Sequence, residues 1–209
     1  MPLKITLRQD YSLSYFRHLM RLLLTSPIGD SAIICSGYVS EGPRYSVLSD
    51  GLLNLIDQGC TNGEVTTVAG MFENEYPQYL QTYCDFVRRL RTIKNVHSYR
   101  STLNNWHAKV AIRTQAGNPV AAIIGSSNLT GPAYGESIHR WNIEADVLLW
   151  VDDPGHNDHY RNNPDGSEMG IMDVVLDPEV TRQPAERTQL LKILADVMNR
   201  DNLENLNID

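Results

Sequence analysis

Three short patterns between Trp106 and Trp150 gather side chains able to handle a phosphate ester. His107 and Lys109 lead into the apolar run Val110–Ile112. If that run is a strand, period-two alternation sets an imidazole and an ammonium group on one face. A second apolar run, Val120–Ile124, follows across Gly117-Asn118-Pro119 at a spacing that suits a hairpin. It ends in Gly125-Ser126-Ser127-Asn128, a small-residue turn expected to offer a hydroxyl, a carboxamide and free backbone N–H groups. Together these make an anion site with an imidazole in it. A third strand, Asn142–Val151, brings Glu144, a carboxylate placed to orient the imidazole.

Such a set points to phosphoryl transfer through histidine. A neutral imidazole attacks phosphorus, fixed cations and hydrogen-bond donors meet the charge that develops, and a second, protonated imidazole gives a proton to the leaving oxygen. Two neighbouring imidazoles titrate as a pair, in which one charged and one neutral form is favoured near neutral pH. Of the six histidines, only His107 is followed by lysine two residues later, so the second imidazole must come from elsewhere. His139, inside the same stretch, is the internal rival for that role.

In this order, His107-Ala108-Lys109, Gly125-Ser126-Ser127-Asn128 and Asn142-Ile143-Glu144 resemble the H-x-K, G-S-x-N and N-x-E patterns of the phospholipase D superfamily. The fuller family pattern has an aspartate five residues after the lysine; here Thr114 stands there, and the insertion before G-S-x-N is longer than usual. The missing aspartate weakens a lipase reading more than a nuclease reading. The resemblance implies cleavage with no metal and no cofactor. It makes His107 the nucleophile, sets Lys109, Ser126 and Asn128 on the phosphoryl group, and puts Glu144 on the far ring nitrogen. It also implies a homodimer sharing one cleft, because single-motif members pair two copies about a twofold axis.

The turn Ser36-Gly37-Tyr38, together with the single motif, resembles the catalytic domain of metal-independent restriction endonucleases of phospholipase D type. That favours DNA, with RNA as a second possibility, as substrate. Ser36, Tyr38, Ser127, Thr130 and Arg113 are the candidates to touch it. A separate recognition domain has no room after the last helix, so specificity is expected from a partner, with an ATP-dependent DNA translocase or helicase-like subunit of a restriction or defence complex as the candidate. The alternatives are a phospholipid-hydrolysing enzyme and a non-catalytic nucleic-acid-binding module of the same fold.

The elements that must position these residues read as a layered αβα sandwich with a mixed, largely parallel sheet. Helices are expected over Tyr11–Thr25, Tyr45–Gln58, Pro77–Thr92 and Pro184–Arg200, from apolar stripes at helical spacing. Strands are expected over Ala32–Cys35, Glu64–Ala69, Asn95–Ser101 and Gly170–Leu176, with Lys4–Leu7 as a short edge strand. The polar stretch Asp152–Glu168 reads as a surface loop, and its His156, Asp158 and His159 as loop residues rather than metal ligands. Residues 1–200 form a single domain and 201–209 a frayed acidic tail.

A chain of 209 residues, 42% hydrophobic and 21% charged, suits one globular α/β domain. It has no membrane-length apolar run and MPLKITLRQD lacks a secretory apolar core, so a cytoplasmic protein without membrane attachment is expected. Three scattered cysteines read as reduced and mostly buried. The net charge of −7 opposes generic nucleic-acid binding. Arg88, Arg89, Arg91, Lys94 and Arg100 nonetheless form a basic block ahead of His107, open to two readings: phosphate contact, or cations placed against a helix C-terminus.

Overall fold

The computed structural model describes residues 2–8, 14–41, 46–48, 50–70, 77–102, 107–134, 142–161, 171–175, 183–199, 201 and 203–206, with backbone alone at 50, 171–175 and 183–189. The strands are β1 (Pro2–Arg8), β2 (Ser31–Ser36), β3 (Val65–Ala69), β4 (Val96–Ser101), β5 (Val110–Gln115), β6 (Asn118–Gly125), β7 (Glu144–Trp150), β8 (Ile171–Val175) and β9 (Leu203–Asn205). The helices are α1 (Tyr15–Thr25), α2 (Asp50–Gly59), α3 (Pro77–Arg91), α4 (Gly131–Tyr134), α5 (Pro154–Arg161) and α6 (Gln183–Val197). No helix among the described residues is long and apolar enough to cross a membrane.

One sheet runs in the order β8-β1-β7-β6-β5-β2-β3-β4-β9. It is mixed, as expected, but parallel pairing is confined to β2 with β3 and β3 with β4. The remaining ladders are antiparallel. The parallel share is thus smaller than the order of segments suggests, because crossover helices force parallel neighbours only up to β4, and hairpin-type connections take over from β5.

Helices cover both faces. The stripe of α1, with Leu19, Met20 and Leu23 buried, joins Leu52, Leu53 and Ile56 of α2 and Tyr83, Phe86, Val87 and Leu90 of α3 against Ala32, Ile34, Val65, Ala111, Ile123 and Leu148 of the sheet. The opposite face buries Cys35, Val68, Ile112, Ala122 and Leu149 under Leu190 and Val197 of α6. Alternation along each strand feeds the two cores in turn. Ser14 caps α1 by accepting from the Arg17 N–H at 3.2 Å. Cys35 and Cys60 are buried, Cys84 is half-buried, and all three are free thiols.

Several expectations change. β1 is not an edge strand, for it lies between β7 and β8. Its inward residues are Lys4, Thr6 and Arg8, all at most 4% exposed, so its polar face is the buried one. Each is satisfied by backbone oxygen: Lys4 Nζ by Tyr160 at 3.0 Å, Thr6 Oγ1 by Asp146 at 3.3 Å, and Arg8 by Pro132 and Ala133 at 3.0 Å. The β5–β6 turn is Ala116-Gly117, both at positive φ (48° and 78°), one residue earlier than the prolyl turn expected. Within the supposed loop, Asp153 accepts from the His156 N–H at 3.0 Å and starts α5 with Pro154 first in the helix. The supposed frayed tail contributes β9, whose Arg100–Glu204 pair closes at 2.9 Å.

Candidate active site

Antiparallel pairing of β5 with β2 and β6, and of β6 with β7, brings four loop ends to one end of the sheet. Cys35 lies opposite Val110, Val110 opposite Ile124, and Gly125 opposite Asp146. The exit of β2 (Ser36–Tyr38), the entry of β5 (His107–Lys109), the exit of β6 (Gly125–Asn128) and the entry of β7 (Glu144) therefore meet.

His107 and Lys109 stand side by side in the segment just ahead of β5, not within the strand. The Lys109 Nζ bonds the His107 Nδ1 and also donates to the His107 carbonyl at 2.9 Å. The Tyr38 ring stands edge-on to the imidazole, with centroids 5.2 Å apart, and Tyr79 of α3 stands beside Tyr38 at 5.1 Å. Gly37 makes this proximity possible: a Cβ there would come within 3.1 Å of His107 Cδ2 and 3.3 Å of Asn128 Oδ1. Burial, and then the Lys109 cation, hold the imidazole below its ordinary pKa, which favours the neutral ring. Burial likewise lowers Lys109, against the opposing pull of the Glu144 carboxylate.

Asn128 is held by its oxygen, which accepts from the Tyr38 N–H at 3.0 Å and lies 3.4 Å from Ser36 Oγ. Its Nδ2 is thereby left as a donor. The Ser126 hydroxyl donates to Glu144 Oε2 and accepts from the Ala145 N–H at 3.0 Å, while Asn142 Nδ2 donates to Glu144 Oε1 at 3.0 Å. Glu144 therefore braces the turn and faces Lys109 electrostatically. The expected hydrogen bond from His107 to Glu144 is replaced by these contacts, because the Ser126 hydroxyl and the Asn142 carboxamide occupy the two carboxylate oxygens.

The turn is also less open than its composition suggests. The N–H groups of Gly125, Ser126, Ser127, Leu129 and Thr130 donate within the chain, to Lys109 O, Ala145 O, Asp146 Oδ1, Ser36 Oγ and Asn128 O. The expectation of a cradle of free N–H groups is thus corrected; side chains carry the donor capacity. Ser127 is 1% exposed and its hydroxyl donates to Asp146 Oδ2 at 2.7 Å, so it faces inward rather than toward substrate. The Ser36 hydroxyl is likewise buried, tying Tyr38 O to the Leu129 N–H. Thr130 heads α4, its carbonyl accepting from the Tyr134 N–H at 2.8 Å.

Arg113 is not at this end at all. Four residues beyond Lys109 and within β5, Arg113 is 1% exposed, and its guanidinium donates to Gly29 O and Gly59 O at 2.6 and 2.5 Å and to Cys60 Sγ at 3.3 Å. It closes the C-terminal end of α2 at the far side of the sheet, which corrects its assignment as a substrate contact. The basic block is similarly engaged within the chain. Arg88 pairs with Asp85, Arg89 with Leu48 O, Arg91 with Ser98 and Lys94 with Asp57, and Arg88, Arg89 and Arg91 lie in the last turn of α3. His139 lies outside the described residues. His156 and His159 serve α5, bonding Asp153 Oδ2 at 2.5 Å and Leu22 O at 2.9 Å. Among the described residues no group of three His, Cys, Asp or Glu side chains could hold a metal ion.

A family model described as the NgoFVII restriction endonuclease N-terminal PLD domain matches residues 21–148, from α1 into β7. The chain belongs to this family. The phospholipase D resemblance of the three motifs is thereby placed within a larger match, and the class of activity it supports is that of a phosphodiesterase or nuclease. Solved structures with similar folds include NucT from Helicobacter pylori (16% identity, TM-score 0.40, covering 70% of this chain and 84% of that one). They also include the phosphatidylserine synthase of Haemophilus influenzae Rd KW20 (11% identity, TM-score 0.51, 95% and 45%). A third is yeast tyrosyl-DNA phosphodiesterase 1 (16% identity, TM-score 0.41, 72% and 33%). The chain spans most of the first but less than half of the other two. No curated protein matches it.

In this NgoFVII-type domain, reading the sequence missed Asp146, two residues beyond Glu144 and on the same face of β7. The available signal was a second carboxylate at period two in a strand that is otherwise apolar from Val147 on. It also missed Gly37, whose role depends on what approaches it across the sheet.

Proposed function

We propose that the chain is a metal-independent, DNA-cleaving phosphodiesterase that works through a phosphohistidine on His107, at a cleft shared by two copies. The observation that carries this is the convergence of the His107 ring, the Lys109 ammonium and the Asn128 carboxamide at one open end of the sheet. With substrate bound, Lys109 turns from Nδ1 to the phosphoryl oxygens, Nδ1 carries the ring proton, and the attacking nitrogen is Nε2. Its lone pair forms the P–N bond as the P–O bond to the leaving group breaks, and a second, protonated imidazole gives that oxygen its proton. Water then attacks phosphorus, the P–N bond breaks, and the second imidazole, now neutral, takes the proton back. Lys109 and the Asn128 Nδ2 meet the charge on the equatorial oxygens, while Glu144 and Ser126 hold the turn.

The second imidazole is the reason for the dimer: the single H-x-K motif supplies one imidazole per chain, and His139 is the internal rival for the same role. DNA is favoured by the family's description as a restriction endonuclease domain. The translocase-like partner remains part of this proposal and is tested by pull-down of the intact protein from its host. The activity is tested by incubating single- and double-stranded DNA, RNA and a phosphatidylcholine analogue in chelator with wild type and His107→Ala. Chelator-resistant DNA cleavage, lost in the variant, is expected; turnover of the lipid alone moves the reading to a phospholipase. If the site is shared, mixing His107→Ala subunits into wild type reduces the activity per wild-type subunit.

A further inference from the structure

Behind the turn Gly125–Asn128 lie two carboxylates, not one. Glu144 and Asp146 alternate onto the same face of β7. They take successive serines: Glu144 binds the Ser126 hydroxyl, and Asp146 binds Ser127. The second contact is bidentate, with Oδ2 accepting from the Ser127 hydroxyl at 2.7 Å and Oδ1 from the Ser127 N–H at 3.3 Å. Both donors of one residue are thus held by one rigid group, midway between the Ser126 hydroxyl and the Asn128 carboxamide.

The surroundings fix Asp146 in turn. Its side chain lies against Gly125, its partner across the ladder, so closely that a Cβ on Gly125 would fall 1.9 Å from Oδ1. On the other side its carbonyl accepts from Thr6 Oγ1 at 3.3 Å, linking it to β1. Only 2% of the residue is exposed. A buried carboxylate is unfavourable unless its oxygens are satisfied, and here the satisfaction comes from Ser127.

We infer that Asp146 is a positioning residue of the phosphate site: by clasping Ser127 it sets the turn from which Ser126 and Asn128 reach an anion. This rests on reading that end of the sheet as a phosphate site. Asp146 does not touch substrate. Its effect passes through Ser127: Asp146→Ala removes both contacts and Ser127→Ala the hydroxyl one, so the double change adds little to Asp146→Ala alone.

The test uses the intact protein and two readouts: inorganic phosphate binding by titration calorimetry, and steady-state cleavage of bis(p-nitrophenyl) phosphate. The variants are Ser127→Ala, Asp146→Asn, Asp146→Ala and Ser127→Ala with Asp146→Ala, each checked by thermal unfolding. Ser127→Ala and Asp146→Ala are each expected to weaken phosphate binding about tenfold or more, the double variant to be no worse than the weaker single one, and Asp146→Asn to lie in between. Folded variants that bind phosphate like wild type, or losses that add, overturn the inference. If Asp146→Ala does not fold, Ser127→Ala and Asp146→Asn decide by the same criteria. Phosphate binding with this pattern but no ester cleavage by wild type upholds the role of Asp146 and removes the enzymatic reading; a wild type that binds no phosphate overturns the inference.

Discussion

The side-chain oxygen of Asn128 accepts the backbone N–H of Tyr38 at 3.0 Å, joining the exit of β6 to the exit of β2 across ninety positions of sequence. That bond decides which end of the carboxamide faces outward. Asn128→Asp keeps the acceptor but replaces the outward NH2 with an anionic oxygen. Phosphodiester cleavage is expected to fall about 10²-fold or more, with the melting temperature little changed. Activity retained within a few-fold in the folded variant would remove Asn128 from the phosphate site.

Gly37 lets the imidazole and the carboxamide approach one another. In Gly37→Ala the new methyl lies 3.1 Å from His107 Cδ2 and 3.3 Å from Asn128 Oδ1, so one of the two must give way. Misplacing a reacting group by a fraction of an ångström to an ångström costs on the order of 10²-fold in rate. Single-turnover kinetics on a phosphodiester should show that loss in the chemical step.

Lys109 is one of two causes holding His107 below its ordinary pKa. A neutral nucleophile gives the rate an acid limb, along which cleavage falls as the imidazole protonates. Replacing Lys109 with Met removes a neighbouring positive charge, raises the His107 pKa and moves that limb to higher pH, beside a general loss of rate. The pH profile of kcat/KM, measured on wild type and Lys109→Met, reads the shift; an unmoved limb contradicts it.

Arg113, counted from sequence among the substrate contacts, is predicted to matter for stability instead. Arg113→Met leaves the carbonyls of Gly29 and Gly59 without their buried donor, at a cost of about 3 kcal/mol. Chemical denaturation should show that loss, while cleavage at a temperature where the variant is folded stays within about twofold of wild type, a spread expected of a site distant from the change.

Asp146 supplies a pH signature. Burial, the largest influence on it, pushes its carboxyl up to about 6 from an ordinary 3.8. With the folded value above the unfolded one, the native state holds the extra proton between those values, so this group's contribution falls as pH rises through that window and stays low above it. Asp146→Asn removes the titration. Relative to wild type, the variant should therefore gain stability between pH 4.5 and pH 7.5, by about 2 kcal/mol at most. Parallel denaturation curves for the two proteins at both pH values check the direction.

The helices and strands that could be foreseen were those with one apolar face and a clear period. Leu19, Met20 and Leu23 announced α1, and the continuous run Ala32–Cys35 announced β2, since their burial is a property of the local pattern. β1 is the counterexample. Its buried face holds Lys4, Thr6 and Arg8, whose partners are carbonyls distant in sequence, so the binary pattern points the wrong way. α5 hid in a polar stretch because its anchors, His156 and Tyr160, are amphipathic rather than apolar.

The site shows the same division. Spacing alone puts His107 near Lys109, two residues apart in the segment that leads into β5. The inward turn of Ser36 and Ser127 follows from contacts between strands far apart in sequence, to Leu129 and to Asp146. Arg113 lies in β5, four residues beyond Lys109, yet serves the opposite end, a separation set by the length of the strand and not by the charge of the residue.

β1 comes first in sequence yet sits between β7 and β8, while β8 and β9 form the two edges of the sheet. On a ribosome, β1 has no ladder to join until β7 has emerged, and among the described strands β8 and β9 cover the flanks later still. The pairing of β1 is thus deferred, since its two ladders close only after the chain has run through β7 and then β8.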